Sequence, residues 1–243
     1  MKRISILLMV VATILISCQS ADITKNVKLI SSYSQDTSVD DMETVKFGSY
    51  PQSDESGKTK EPIEWIVLDR QEDKSLLLSK YILDCKCYYI ENKDTTWEKS
   101  SLRKWLNNEF YNSAFDDNQR NKIQITHLVN NGGDGELYIG DVKIPAVSIG
   151  GKETDDKIYV LGKKEIIKYF GSKGKFGDSS IRMFNNIRTN GTNFAKNSNN
   201  SFWLRTPGLI NSHATYVLGD FLNNGIMVND SSIGVRPALW ISN

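Results

Sequence analysis

The sequence of 243 residues has few of the residues that build metal centres and disulfide scaffolds. It contains only two histidines, His127 and His213, and three cysteines. This excludes a three-histidine metal site, a four-cysteine zinc site and a disulfide scaffold. The 30 Lys and Arg residues nearly balance the 29 Asp and Glu residues, and this balance argues against a nucleic-acid-binding protein.

The main apolar stretch of the chain, from Ile4 to Ile16, is too short for a membrane-spanning helix of roughly 20 residues. Lys2 and Arg3 precede this stretch, and the small residue Ser17 follows it. A basic start, an apolar core and a small residue are typical of a secretory signal peptide. We therefore predict that residues 1–17 are a signal peptide.

The residues Leu15-Ile16-Ser17-Cys18 resemble the lipobox, the cleavage signal of bacterial lipoproteins. The resemblance implies that Cys18 becomes the first mature residue and carries a lipid on its sulfur, so that the membrane is a partner of the chain. Several acyl chains anchor a protein far more stably than one does. Gln19, rather than an aspartate, follows the cysteine, which implies the outer membrane. The alternative is an ordinary signal peptide with a chance cysteine.

The mature chain divides by composition into a tether and a domain. Residues 18–42 are rich in Ser, Asp, Thr and Lys, and Tyr33 is their only aromatic residue, which predicts a flexible tether. Residues 43–243 carry the patterned segments and are predicted to form a single α+β domain. Its predicted strands are 45–50, 62–69, 75–83, 157–161, 201–207, 214–222, 226–229 and 234–241, with a turn at Asn223-Asn224-Gly225. Its predicted helices are 102–110, 116–123 and 163–170. Its long loops are 171–200 and 130–156, the latter with one short strand at 142–147.

Four motifs in this domain resemble an uncharacterised bacterial family named only as a domain of unknown function. They are Pro62-Ile63-Glu64-Trp65-Ile66-Val67-Leu68, the segment from Trp97 to Asn107 with Phe110 and Ala114-Phe115, Trp203-Leu204-Arg205-Thr206-Pro207, and Gly234-Val235-Arg236-Pro237-Ala238-Leu239. Members are often exported or lipid-anchored. The resemblance therefore agrees with the predicted signal peptide.

The C-terminal half also resembles the C-type-lectin-like fold, which sugar-binding lectins share with the formylglycine-generating sulfatase-modifying enzymes. The resemblance implies a mixed, mainly antiparallel sheet with two or three flanking helices and long loops. The sugar-reading triplets of calcium-dependent lectins are absent, and Val228-Asn229-Asp230 only partly matches one of them. The cysteine pair of the enzymes is absent too, since no cysteine follows Cys87. Fold resemblance alone does not establish function.

Candidate ligand-binding residues come from the C-terminal motifs and loops: Trp203, Arg205, Asp220, Asn229 and Asp230. Trp105 and Trp240 sit in apolar patterns typical of core residues. Arg103, Arg205 and Arg236 have an alternative role, because arginines beside apolar residues often bind carboxylates or backbone carbonyls. Four acidic residues in Gly-rich loops offer oxygen ligands for calcium: Asp134, Glu136, Asp141 and Asp178. They lack EF-hand spacing, so no cofactor and no metal site is predicted.

Two further clusters are interpreted as structural and not as chemical features. Cys85-Lys86-Cys87 is read as two partly buried thiols at a strand end, because a disulfide between residues two apart is strained. Acidic pairs such as Asp155-Asp156 are read as polar turns. Adjacent residues on a strand point to opposite sides, so such a pair does not face one substrate.

Three functions remain open from the sequence. The first is a non-enzymatic, lipid-anchored envelope protein that binds a glycan, a peptide or a protein through the loops 130–156, 171–200 and 207–213. The second is an enzyme related to the sulfatase-modifying group, which a deep pocket with Trp203, Arg205 and carboxylates would favour. The third is a structural envelope subunit, which a large exposed apolar patch would favour.

Overall fold

Two five-stranded sheets carry the fold in the computed structural model, which describes residues 42–53, 58–139, 141–170, 201–219 and 221–243. The chain divides into Met1–Thr37 and Ser38–Asn243, and every described residue belongs to the second unit. The predicted signal peptide, Cys18, most of the tether, the 171–200 loop and Asp220 lie outside the described residues.

The first sheet is antiparallel throughout and has the strand order β1-β2-β3-β14-β5. The predicted hairpin is confirmed, because β2 pairs with β3 and places Val67 opposite Leu77. β-branched and aromatic residues make β2 a strand and bury it on both faces. The bounds are Thr44–Pro51 for β1, Lys60–Arg70 for β2, Lys74–Ser79 for β3, Ile123–Gln124 for β5 and Ala238–Ser242 for β14.

The second sheet has the order β12-β11-β10-β13-β4, in which only β10 and β13 run parallel. The predicted turn at 223–225 is wrong, because these residues lie inside β12. Gly225 has φ 145° at the point where two residues of β12 oppose one of β11. Asn-Gly suits a bulge as well as a turn, since both use a positive φ. The bounds are Asp84–Cys85 for β4, Ser201–Pro207 for β10, His213–Leu218 for β11, Phe221–Met227 for β12 and Gly234–Val235 for β13.

The chain passes from the second sheet to the first at Arg236-Pro237. The predicted strand 234–241 is therefore two short strands, β13 and β14, in different sheets. The buried Arg236 side chain donates from Nε to the Ser79 carbonyl at 2.7 Å and from Nη2 to the Lys80 carbonyl at 3.0 Å. Burial lowers the pKa of Arg236 to about 9. The arginine thus ties the end of β3 to the crossing.

The three predicted helices form, and the first two begin at side-chain caps. The first is α1, Ser101–Trp105, which continues through one wider turn, Leu106–Phe110, into α2, Tyr111–Ala114. The Ser100 hydroxyl accepts from the Arg103 N–H at 3.0 Å. The next helices are α3, Asp117–Lys122, capped by Asp116, and α4, Lys163–Phe170.

The predicted loop 130–156 contains more strands than its composition suggests. β6, Thr126–Leu128, pairs with β9, Thr154–Asp156, and β7, Glu136–Ile139, pairs with β8, Val142–Pro145. The predicted strand 157–161 is wrong. Its strand pairing is limited to an isolated bridge from Tyr159 to Ala238, although its apolar residues are buried. An apolar run indicates that a segment is buried, and residues 157–161 are buried without forming a strand of either sheet.

The described residues thus form a mixed α+β structure with mainly antiparallel sheets, which confirms the predicted class. In this part of the chain, no helix has the length and apolar character needed to cross a membrane.

Candidate functional site

An open groove of about 660 Å³ lies along α1 and the turn that precedes it. The 3₁₀ turn Trp97–Lys99, α1 and its continuation supply most of one wall. β9 and the segments beside β4 and β5 supply the rest. The lining residues are Tyr89, Glu98, Lys99, Ser100, Ser101, Arg103, Lys104, Asn107, Asn108, Ile125, Asp155 and Lys157.

Asp156 lies beneath the groove with a fully buried side chain. Its carboxylate accepts from Arg103 Nε at 2.6 Å, from Trp97 Nε1 at 2.8 Å and from the Thr154 hydroxyl at 3.0 Å. A buried carboxylate needs this many donors because it has lost its hydration. The network therefore fixes α1 against β9.

Asn107 fixes the same helix to the chain after β9. Its Oδ1 accepts from the Lys157 N–H at 2.9 Å and from the Ile158 N–H at 3.2 Å, and its Nδ2 donates to the Ile158 carbonyl at 2.8 Å. These bonds satisfy backbone groups of Lys157 and Ile158, which do not pair with a strand. With Arg103 and Asp156, Asn107 forms what we call the floor of the groove.

The outer residues of the groove have the more exposed side chains, and we call these residues the rim. Tyr89 and Ile125, the latter 67% exposed, supply an aromatic and an aliphatic surface. Lys99, Lys104 and Asn108 are exposed polar residues of the helical wall. A flat apolar surface with nearby amide and ammonium donors is the usual composition of a small-ligand site.

The hydroxyl groups of the groove are not activated for nucleophilic attack. The Ser100 oxygen caps α1, and the Ser101 oxygen accepts from the Ile90 N–H at 3.2 Å. A nucleophilic serine requires a general base within hydrogen-bond distance. The groove is therefore equipped to bind by hydrogen bonds and charge.

Asp155, next to Asp156 in β9, projects into solvent at the edge of the groove. Its Oδ1 lies 2.9 Å from Nδ1 of His127, while Glu153 Oε2 lies 3.1 Å from Nε2 of the same ring. The two hydrogen bonds, Asp155 first, raise the pKa of His127. Reading the acidic pair as a polar turn was thus wrong for Asp156, which is buried, and both residues belong to a strand.

The structure places Trp203 in the core and not at the surface. The side chain is 0% exposed, packs edge-on against Tyr88 with ring centroids 5.7 Å apart, and donates from Nε1 to the Lys86 carbonyl at 2.7 Å. As placed, it offers no face to a ligand. The predicted core tryptophans Trp105, in α1, and Trp240, in β14, are instead only partly buried.

Arg205 is engaged within the protein. It forms an ion pair with Glu165 of α4, and its Nη1 also donates to the Val160 carbonyl at 3.3 Å. It lines a cavity of only about 40 Å³, together with Glu165, Asp134 and Lys163. Asp134 pairs with Lys163 at 2.6 Å, so both carboxylates of this cavity have cationic partners.

Asn229 and Asp230 lie after β12 and outside both cavities. The Asn229 carbonyl accepts from the Cys87 thiol at 3.2 Å, and Asp230 accepts from the N–H and the hydroxyl of Ser232. These contacts are those of a local turn. Asp220, the remaining candidate, is not among the described residues.

The acidic residues of the 130–156 loop are dispersed. Asp134 and Glu136 pair with different lysines, Lys163 and Lys143. No group of three or more histidine, cysteine, aspartate or glutamate side chains within the described ranges is arranged to hold a metal ion. The fourth acidic candidate, Asp178, lies outside those ranges.

Cys85 and Cys87 are free, partly buried thiols at the end of β4. Burial, and then the charge of Asp84, raise the pKa of Cys85 to about 11. Burial also raises the pKa of Cys87. Thiols with raised pKa values stay protonated and are poor nucleophiles.

Residue-level reasoning from the sequence missed the groove. Tyr89, Asn107 and Asp156 belong to no motif of known chemistry, and the segment that forms β9 was predicted to be a loop. One signal was present: the segment from Trp97 to Asn107, the longest of the four motifs, supplies half of the lining.

The chain belongs to the family described as Domain of unknown function (DUF6273), whose model matches residues 72–243, more than half of the chain. The 97–115, 203–207 and 234–239 motifs lie inside the matched range, whereas 62–68 precedes it. Neither a curated protein nor a solved structure matches the chain significantly.

Proposed function

We propose that this protein is a non-enzymatic, lipid-anchored binding protein of the bacterial cell envelope, and that the groove along α1 binds a glycan. The observation that carries the proposal is the division of the groove into an internally bonded floor and a more exposed rim. A floor of this kind holds the rim side chains in place before a ligand arrives. Preorganisation of this kind reduces the entropic cost of binding.

The rim suits a sugar because it combines Tyr89 and Ile125 with amide and ammonium donors. A pyranose ring presents apolar C–H faces to an aromatic ring and hydroxyl groups to polar side chains. The proposed scaffold is C-type-lectin-like, which the mainly antiparallel sheets and flanking helices support. The binding surface would then involve α1 and β9 and only part of the predicted loops.

The lipid anchor rests on the lipobox at Cys18, and its location in the outer membrane rests on Gln19. Replacing the cysteine, Cys18→Ser, should abolish incorporation of labelled palmitate and release the protein into the soluble fraction. Incorporation of label into the variant would contradict the anchor.

The binding proposal is tested on the full chain carrying Cys18→Ser, which is screened on a glycan array. The best glycan is then titrated by calorimetry with and without about 1 mM calcium. This concentration matches extracellular calcium modules, whose dissociation constants are about 10⁻⁴–10⁻³ M. Tyr89→Ala should weaken binding about tenfold, because a stacked aromatic contributes about 1 kcal/mol or more. The matched control is Tyr138→Ala, which removes an exposed tyrosine far along the chain from the groove. Equal loss in both variants, or no binding to any glycan, would contradict the proposal.

A second candidate function, a structural or scaffolding subunit, is favoured by the hairpin β7–β8. Cross-strand pairing places Leu137 opposite Ile144 and Ile139 opposite Val142, so one face of the ribbon is entirely apolar. These four side chains are 40–63% exposed. The opposite face is polar and internally paired, with Tyr138 and Lys143 both bonded to Glu136.

The occupant that this ribbon fits is an extended apolar segment of another protein. The hairpin pairs with no other strand among the described residues, so its edges offer free backbone groups as well as an apolar face. Ile139→Asp with Val142→Asp should abolish such an interaction in crosslinking from intact cells, while Tyr138→Ala on the polar face should leave it. Unchanged crosslinks in the double variant would eliminate this candidate.

The enzyme alternative receives less support. Its expected pocket around Trp203 and Arg205 corresponds to a cavity of about 40 Å³ that Trp203 does not line. A cavity of this size holds about one water molecule, too little for a substrate.

A further inference from the structure

The charged residues around the groove are neutralised unequally. Both acidic lining residues have basic partners: Asp155 lies against His127, a ring that it shares with Glu153, and Glu98 lies 3.9 Å from Lys152. The arginine of the floor, Arg103, is in turn neutralised by the buried Asp156. The acidic residues of the groove and its arginine therefore have partners within the protein.

The lysines of the groove are not balanced in this way. Lys99 and Lys104 are exposed and form no ion pair with any residue that the structure describes. Lys157 places its ammonium 4.3 Å from the ring centre of Tyr111 and donates to the Tyr111 hydroxyl at 2.8 Å, which leaves its charge uncompensated. Lys99 and Lys104 thus present two exposed positive charges at a groove whose acidic residues already have partners.

Positive charges in a concave site raise the local concentration of anions, because the low-dielectric walls focus the field. The rim also contains Tyr89 and the amide of Asn108, which suit a sugar ring rather than a bare anion. A ligand that uses all of these groups has both sugar rings and negative charges.

We propose that the ligand of the groove is an acidic polysaccharide, whose anionic groups lie against Lys99 and Lys104. The inference rests on the proposed glycan-binding function and specifies the class of glycan. Carboxylate and sulfate groups share the chemistry that the lysines recognise, so the experiment includes both.

The test uses the full chain carrying Cys18→Ser, titrated by calorimetry with polygalacturonate, dextran sulfate and neutral dextran. We expect saturable binding of one or both acidic polymers, weakened by raising the salt from 20 to 300 mM, since exposed charges are screened at a Debye length of about 10 Å or less near 0.1 M. Binding of the carboxylated polymer alone, or of the sulfated polymer alone, identifies the source of the charge.

Lys99→Ala and Lys104→Ala should each weaken binding about fivefold, in keeping with exposed ion pairs of about 1 kcal/mol. The matched control is Lys46→Ala, which removes the same charge from an exposed position on β1 outside the groove. A general attraction of polyanions to the surface would make all three variants equal and would overturn the proposal.

The remaining outcomes separate the two proposals. Binding of neutral dextran as tight as that of the acidic polymers would overturn the charge specificity and keep the glycan-binding function. Failure of every polymer and of the glycan array would overturn both. Equally tight binding of double-stranded DNA would also overturn the proposal, because it would show recognition of charge without sugar chemistry.

Discussion

The floor and the rim of the groove come from neighbouring residues that differ in what they contact. Asp156 is buried and accepts three hydrogen bonds, whereas Asp155, the preceding residue of β9, is 68% exposed and faces His127. Asn107 bonds to the segment after β9, whereas Asn108 bonds only to its own helix, at the Lys104 carbonyl. Two residues of the same type, one position apart, thus differ in role: one is bonded inside the fold, and the other is exposed at the surface of the groove.

The largest expected effect is at Asp156. Asp156→Ala should lower the free energy of unfolding by about 3 kcal/mol or more, because it leaves the Arg103 charge and the Trp97 N–H without their acceptor in a buried position. Urea unfolding followed by tryptophan fluorescence measures this change. The control Asp155→Ala should cost less than about 1 kcal/mol, and an equal loss at both positions would break the comparison.

A smaller difference is expected between the two asparagines. Asn107→Ala should lower the free energy of unfolding by about 2 kcal/mol, because the N–H groups of Lys157 and Ile158 lose their acceptor. Asn108→Ala should change it by less than about 0.5 kcal/mol, since this side chain is exposed. Both values come from urea midpoints at constant slope. Similar midpoints for the two variants would show that Asn107 does not fix the helix.

The rim should separate binding from stability. The double variant Lys99→Ala, Lys104→Ala should leave the free energy of unfolding within about 0.5 kcal/mol of the wild-type value, because neither side chain has an ion pair to lose. Thermal melts in the absence of ligand measure this. A large drop in melting temperature would assign the lysines to the floor and remove the basis of the ligand proposal.

The smallest effect concerns His127, which is exposed. Asp155 and then Glu153 raise its pKa above the ordinary value of 6.5, so the stabilising pair is fully present below pH 6.5 and is lost as the pH rises through the raised pKa. NMR titration of the imidazole should show this raised pKa. Asp155→Asn should bring it back toward 6.5, and an unchanged titration would show that the pair does not form in solution.

Local pattern predicted much of the fold. Apolar spacing indicated α1, and the predicted helices 102–110 and 116–123 begin within one residue of α1 and α3, because a helix start depends on residues close in sequence. The hairpin of β2 and β3 followed from two apolar strands around a polar turn. The division of 234–241 between two sheets was not readable, because a strand's partner lies elsewhere in the chain.

The candidate site was harder to predict than the fold. The sequence indicated Trp203 and Arg205 because they lie in the 203–207 motif, where Trp203 alternates with Phe202 along a predicted strand. Both are committed within the protein, one to the core and the other to Glu165. The segment from Trp97 to Asn107 was recognisable as a motif, but its role depends on what packs against it.

The sequence by itself determined where the helices and several of the strands begin, since capping, alternation and apolar spacing act over a few residues. It also determined the family, because the motifs are properties of the chain. Only the tertiary structure decided that Asp156 is buried while Asp155 is exposed beside His127, and that Asn107 bonds across to the segment after β9 while Asn108 bonds only to its own helix. The reason is physical: the role of a polar side chain depends on whether its neighbours in space have removed it from water.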